Sequence, residues 1–321
     1  MKKIFIMLCA LSLVLSCTDG KQGLDNELPP HLSGGQQTPG EDDGDSGDYP
    51  LEPENPGGNT GSDEGTVAPE GEWADKQPTG EPMTISLMSY NVGKFNKFSS
   101  QLGHDSYPEV AECINYGYAD VVGLNEVNKG QQTSLATTLG KDWSGSFYYA
   151  NSSTYGNAIV YNKCSNVVNR DLRVTIPKTG GAGEVRSMGA VEFEDFVFCV
   201  THLDHKSDQA RQDGARLITE WALQNYGYGK TTKPVFLTGD MNCNQNNVTI
   251  KYFEKYWTRI SVVGGTFPSS GQCIDFIFVL NNGIKYEVGT TKVVNNKALS
   301  VASVASDHYA VYSQVTFNKQ K

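Results

Sequence analysis

Four short segments of this chain set a carboxylate against an apolar run. Leu124-Asn125-Glu126-Val127 and Thr238-Gly239-Asp240-Met241-Asn242 close such runs, Ile274-Asp275-Phe276-Ile277-Phe278 opens one, and Ser306-Asp307-His308 precedes the last. Runs this short and apolar read as buried strands. A carboxylate held against an apolar core is costly unless a metal ion or a hydrogen-bonded partner compensates it. The fold therefore has to gather strand ends, so that these acids and the imidazoles of His202 and His308 share one compensated site. A site of that composition binds a divalent ion and moves protons, which points to metal-assisted hydrolysis.

The strands belong to one part of the chain. Lys2 and Lys3 precede a short apolar stretch, Ile4 to Leu15, and Val14-Leu15-Ser16-Cys17 reads as a lipoprotein-type cleavage site. The stretch is too short for a comfortable membrane span. Residues 1–17 are thus expected to be an export signal, with a lipid anchor on Cys17. Residues 18–82 are rich in Gly, Pro, Asp and Glu, with 16 acidic residues against Lys21 and Lys76. Such a composition buries too little apolar surface to offset chain entropy, so an extended, disordered tether is expected. Residues 83–321 hold 22 basic and 20 acidic residues, so the −10 of the whole chain belongs to the tether and says little about substrate. Localisation follows as exported and tethered to a bacterial cell membrane, periplasmic or facing outward.

The seven cysteines include no CxxC pair, and no zinc-type spacing is present. Five lie beyond Cys17 and are expected to be mostly free, buried thiols.

From Met83 onward, apolar runs alternate with amphipathic stretches. Strands are expected at Thr84–Val92 (Ile85, Leu87 and Ser89 sharing a face), Asp120–Val127, Gly156–Tyr161, Met188–Phe193, Phe196–His202, Pro234–Gly239, Ile274–Leu280 and Tyr309–Phe317. Glu194-Asp195 suits a tight turn between two of them. Helices are expected at Tyr107–Tyr118, at Ser207–Asn225 with Ser207 as N-cap, and at Val248–Trp257. The fold class is α/β, with two packed mixed sheets and helices outside.

Seven segments, in this order, resemble the endonuclease/exonuclease/phosphatase superfamily, whose fold is that of deoxyribonuclease I. They are Ser89-Tyr90-Asn91, Asn125-Glu126-Val127, Gly156-Asn157-Ala158-Ile159, Thr201-His202-Leu203-Asp204-His205, Gly239-Asp240-Met241-Asn242, Ile274-Asp275-Phe276-Ile277-Phe278 and Ser306-Asp307-His308. The resemblance implies a four-layer sandwich of two mixed β-sheets flanked by helices. It also implies a metal site of Glu126, Asp307 and Asn91, where hard oxygen donors select Mg²⁺, Mn²⁺ or Ca²⁺. Asp240 would orient or deprotonate the attacking water, and Asn242 would hydrogen-bond the phosphoryl oxygens. His308 would contact the scissile phosphate with Asp275 fixing its tautomer, and His202 would donate to the phosphate or the leaving group. Asp204 and His205 brace His202 or cap the next helix. Arg186 resembles a phosphate-binding arginine, and Asn157 a substrate-side asparagine at the site wall.

The leading expectation is a monomeric, metal-dependent phosphodiesterase, most simply an extracytoplasmic nuclease. The alternatives are a sphingomyelinase-like lipid phosphodiesterase, a phosphatase of inositol or sugar phosphates, and a non-catalytic binding lipoprotein. The chain has no long basic, aromatic-rich insert of a committed nucleic-acid reader.

Overall fold

The computed structural model describes residues 76–164 and 166–321, together with the pairing of Leu24–Asp25 beside Leu172–Arg173. The expected signal, Cys17 and nearly all of the tether lie outside the described residues. The folded unit begins before the expected boundary at Met83. Gln77 Nε2 donates to Gly283 O at 2.8 Å, and Gly80 N donates to Lys319 O at 3.0 Å.

In chain order the main elements are β1 (Pro82–Asn91), α1 (Tyr107–Gly117), β2 (Val121–Asn128), α2 (Gln131–Leu139), β3 (Trp143–Ser152), β4 (Tyr155–Asn162), β5 (Val168–Ile176), β6 (Arg186–Phe193), β7 (Val197–His202), α3 (Asp208–Tyr226), β8 (Val235–Asp240), α4 (Val248–Tyr256), β9 (Trp257–Arg259), β10 (Asp275–Leu280), β11 (Glu287–Val294) and β12 (Ala310–Asn318). Ser207 caps α3 as expected, its hydroxyl accepting from Ala210 N.

Two mixed sheets form. One runs β11-β12-β1-β2-β4-β3 and the other β5-β6-β7-β8-β10-β9. Among these labelled strands each sheet has one parallel pair among antiparallel neighbours, β1 with β2 and β7 with β8, and Leu24–Asp25 adds a short parallel pairing at the edge of β5. A parallel pair puts two C-terminal strand ends side by side, so Asn91 lies opposite Asn125 and His202 opposite Asp240.

The inner faces of the sheets pack on each other through Ile85, Leu87, Val121, Ile159, Phe198, Val200, Phe236, Ile277 and Val311. At Gly123 the sheets come so close that a Cβ would lie 2.1 Å from Thr238 Oγ1. The outer faces carry the helices. Met88, Tyr90, Val122 and Leu124 pack under α1 and α2, and Cys199, Leu237, Phe276 and Phe278 under α3 and α4. This is the expected four-layer architecture. Among the described residues, no helix is long and apolar enough to cross a membrane.

Side chains alternate faces along a strand. The residues that share the inner-face parity with this core include Asn91, Asn125, Asn157, His202, Asp240 and Asp275. At one end of the sandwich the inner surfaces thus change from apolar to polar, and that end is the site.

Candidate active site

Asp240 stands at the centre, and both sheets hold it. Asn91 Nδ2, from the opposite sheet, donates to Asp240 Oδ2 at 3.0 Å, and Asn242 N donates to Oδ1 at 2.8 Å. His202 Nε2 is 3.5 Å and His308 Nε2 3.7 Å from Oδ2. Burial first, then the neighbouring Asp275 carboxylate, push the Asp240 carboxyl up to about 7; His308, Asn91 and Asn242 oppose that shift.

The next layer is the Asp275–His308 pair. Asp275 Oδ2 lies 2.9 Å from His308 Nδ1, so Nε2 faces Asp240. Burial alone would depress this imidazole, but the Asp275 carboxylate outweighs it and lifts His308 to about 9. Phe267 packs on the imidazole, ring centroids 4.7 Å apart, and Thr266 Oγ1 accepts from the backbone N–H of Ile274 and Asp275. Ser306 Oγ donates to Asn91 O at 2.7 Å and so ties the Ser306-Asp307-His308 segment to the end of β1.

His202 is packed against Asn242. Its Nε2 accepts from Asn242 Nδ2 at 2.8 Å, and Asn242 Nδ2 also reaches Leu203 O at 3.0 Å. Burial, with the charges of Arg186, His308 and His205, holds His202 well below the usual imidazole range. The ring is therefore held neutral, with its Nε2 lone pair engaged by Asn242, which braces it. Asn242 itself sits past the strand end in the left-handed region, φ 51°.

Asn157 is not on the site wall. Its Oδ1 accepts from Asn125 Nδ2 at 2.9 Å, and its Nδ2 donates to Ser187 O at 3.0 Å, beneath the surface. Asn125, quoted above only within a motif, emerges as the tie between the sheets. It donates to Thr201 O (2.8 Å) and accepts from Asp240 N (2.9 Å). Its one sequence signal was an amide in an otherwise apolar strand.

Glu126 follows at a β-bulge, where pairing with β4 shifts between Leu124 and Val127. Its φ of 55° is disfavoured for a residue with a Cβ, and such outliers collect where geometry serves function. The bulge brings Glu126 Oε1 to 3.3 Å from Asn91 Nδ2. Asp307 pairs with Lys97 Nζ at 2.7 Å.

Arg186 is buried, with its guanidinium NH2 3.2 Å from Glu184 Oε1 and 3.1 Å from His205 Nδ1. Asp204 neither braces His202 nor caps α3. Its carboxylate accepts four backbone N–H groups, from Gly183, Glu184, Lys206 and Ser207, and so pins the loop that leads to Arg186. Burial works against ionisation of Asp204, but these donors hold it below the usual carboxylate range.

Two constellations here suit a cation. Asp240, Asp275 and His308 bring one ligand atom each within 4.8 Å of one another, with Asp275 Oδ1 buried and unpartnered. The second is the expected set, Glu126, Asp307 and Asn91. All its donors are oxygens, Asn91 Oδ1 keeps a lone pair beyond its bond from Gly93 N, and a cation, the Lys97 ammonium, already stands on Asp307. The donor chemistry fits a hard divalent ion.

A model of the endonuclease/exonuclease/phosphatase family matches residues 88–308, the span from β1 to His308. The chain belongs to this family. Its members are phosphoester hydrolases, generally dependent on a divalent metal, and this enzyme is one of them. No curated protein matches its sequence. Solved structures share its fold. An endonuclease/exonuclease/phosphatase family protein from Bacteroides thetaiotaomicron is 22% identical, with 74% of this chain and 97% of that one covered at a TM-score of 0.58. A mannosyl-6-phosphatase from the same species is also 22% identical, covering 72% and 99% at 0.61. D. rerio TDP2, complexed with a single-strand DNA product, is 13% identical, covering 72% and 98% at 0.57. At these identities the likeness is one of fold.

Proposed function

We propose that the enzyme hydrolyses phosphodiesters by attack of a water activated at Asp240, acting as an extracytoplasmic nuclease of low sequence preference. The observation that carries the chemistry is Asp240 itself: a buried carboxyl brought near neutrality, held by both sheets and flanked by two imidazoles. A base poised near the working pH combines a usable proton affinity with a usable ionised fraction. Asp240 takes the proton of the water as its oxygen bonds to phosphorus, while the P–O bond to the leaving alcohol breaks on the opposite side and solvent water protonates the departing oxygen. His308, charged and oriented by Asp275, donates from Nε2 to a phosphoryl oxygen. Neutral His202 and its brace Asn242 line the opposite side. Arg186, whose charge already acts on His202, is the cation on the phosphate side. Glu126, Asp307 and Asn91 are the residues that would hold the ion, with Mg²⁺ the first choice and Mn²⁺ or Ca²⁺ alternatives. When bound, that ion supplies charge neutralisation on the phosphoryl and leaving oxygens.

One observation favours a second substrate class. Glu184 sets a carboxylate 3.2 Å from Arg186, and His205 joins them. A carboxylate at that place repels a polyanion and accepts from hydroxyls, which suits a sugar phosphate. The mannosyl-6-phosphatase of the same fold is consistent with this reading. For location, the sequence supports a monomer tethered to a membrane by a lipid on Cys17. Replacing Cys17 with Ser should release the protein from the membrane fraction.

A panel of supercoiled plasmid, hexose phosphates and a choline phosphodiester, each with Mg²⁺ and with chelator, tests the assignment. Plasmid nicking that stops with chelator supports the nuclease. Turnover of hexose phosphates alone replaces it with the second reading, and no turnover of any substrate removes both.

A further inference from the structure

We propose that Lys97 is a tethered cation that occupies the Asp307 corner of the metal site until a divalent ion displaces it. The inference rests on the ion-binding reading of Asn91, Glu126 and Asp307 given above.

The chain between Asn91 and Lys97 is unusual. Gly93, Lys94 and Phe95 have φ of 51°, 58° and 59°, three consecutive residues in the left-handed region. Two of them carry a Cβ, for which this conformation is disfavoured. It persists because its surroundings determine it. Phe95 is fully buried and stacks on Tyr107 with centroids 4.4 Å apart. Gln131 Nε2 donates to Lys94 O, and Ser106 N to Phe95 O, each at 2.7 Å. Asn91 Oδ1 accepts from Gly93 N at 3.1 Å.

The turn places two ammonium groups beside the site. Lys94 Nζ lies 5.0 Å from the Tyr155 ring centre, and Lys97 Nζ 2.7 Å from Asp307 Oδ2. Gly93 passes directly against the same carboxylate, where a Cβ would lie 3.2 Å from Asp307 Oδ1 and 3.5 Å from the Lys97 Cβ. Asp307 is thus met on one oxygen by an ammonium and on the other by close-packed backbone. Glu126 acts electrostatically on the same ammonium.

An oxygen that holds an ammonium at hydrogen-bond distance cannot also hold a divalent ion without strong repulsion between the two cations. The two occupants are therefore alternatives. Lys97 is free to leave, since its side chain is 54% exposed. Before the ion arrives, the ammonium keeps the Glu126 and Asp307 carboxylates from repelling each other. Its presence also lowers the apparent affinity of the ion. An exposed pair of this kind is weak, so the competition amounts to about two- to five-fold.

The test is calorimetric titration of Mn²⁺ into the full chain as wild type, Lys97→Met, Lys97→Arg and Glu126→Ala. Circular dichroism of each variant checks the fold. Lys97→Met should bind about two- to five-fold more tightly than wild type, and Lys97→Arg should stay close to wild type. Added salt should narrow the gap, because exposed pairs are screened. Unchanged or weaker binding by Lys97→Met overturns the proposal while leaving the metal site intact. Equal uptake by wild type and Glu126→Ala would instead remove the ion-binding reading, and the role of Lys97 with it.

Discussion

Asp275 holds His308 by one oxygen only: Oδ2 lies 2.9 Å from Nδ1, while Oδ1 is buried with no partner. The pair is therefore a single directed bond between buried groups. A buried acid that charges and orients an imidazole loses its purpose when the imidazole is gone, so the two should act as one unit.

Asp275→Asn should accordingly cost much of what His308→Ala costs. The double variant should be little worse than His308→Ala alone. Removing a general acid–base group typically costs about 10²–10⁴-fold in rate. A double-mutant cycle on kcat/KM with a chromogenic phosphodiester reads this. NMR titration adds a readout independent of turnover: the His308 pKa should fall in Asp275→Asn. Fully multiplicative losses would show two independent residues.

Asn125 joins the sheets, and its loss should appear as instability first. Asn125→Leu leaves Asp240 N, Thr201 O and Asn157 Oδ1 without their partners. Each buried, unsatisfied group costs about 1–3 kcal/mol. Urea unfolding should therefore show a loss of at least ~3 kcal/mol with an unchanged m-value. A loss below about 1 kcal/mol would mean that water or backbone movement replaces these bonds.

The parts of the fold that alternate or bury a full strand were legible in the chain. Ile85, Leu87 and Ser89 share the inner face as their spacing implies, and the apolar run to Gly239 is the central strand β8. The missed elements lie mostly toward the sheet edges. Trp143–Ser152 and Glu287–Val294 are edge strands, half-buried or exposed for most of their length, so little apolar alternation marks them. In the site, carboxylates and imidazoles stood out because such groups need compensation wherever they are buried. Asn125 did not, and Asn157 pointed to the site wall, because an asparagine acquires its partners only when the sheets close. The neutral state of His202 was likewise invisible, since it depends on burial and on Arg186, His308 and His205.

The N-terminal boundary of the folded unit can be located by truncation. Gln77 exchanges two bonds with the Gly283–Lys285 segment, and Gly80 N bonds Lys319 O. A chain starting at residue 76 should melt with the full-length protein and match its turnover per molecule. A chain starting at Met83 should melt a few degrees lower, since about 1 kcal/mol moves Tm by roughly 2–4 °C in a domain of this size. Equal melting of the two truncations would show that residues 76–82 add nothing to stability.

Asp240 and His308 together should make the ion-free protein less stable as pH rises. The unfolded Asp240 releases its proton near 3.8, whereas the folded one keeps it to about 7. Between those values the folded state binds more protons, so stability falls with rising pH. His308 acts with the same sign. Its contribution is full below about 6.5, the unfolded value, and is lost as pH rises through about 9. Asp240→Asn removes the first component, so its stability should fall less between pH 4 and 7 than that of wild type and should exceed it at pH 7. The limit, on the order of 4 kcal/mol for about three units, is shared among coupled groups. Turnover should run the other way on its acid side. The base must be ionised and His308 charged, so kcat/KM should rise through about 7 and fall through about 9. In Asp275→Asn the alkaline limb should move to lower pH. An alkaline limb that stays in place when Asp275 is neutralised would separate the upper ionisation from His308 and end this account of the proton-handling pair.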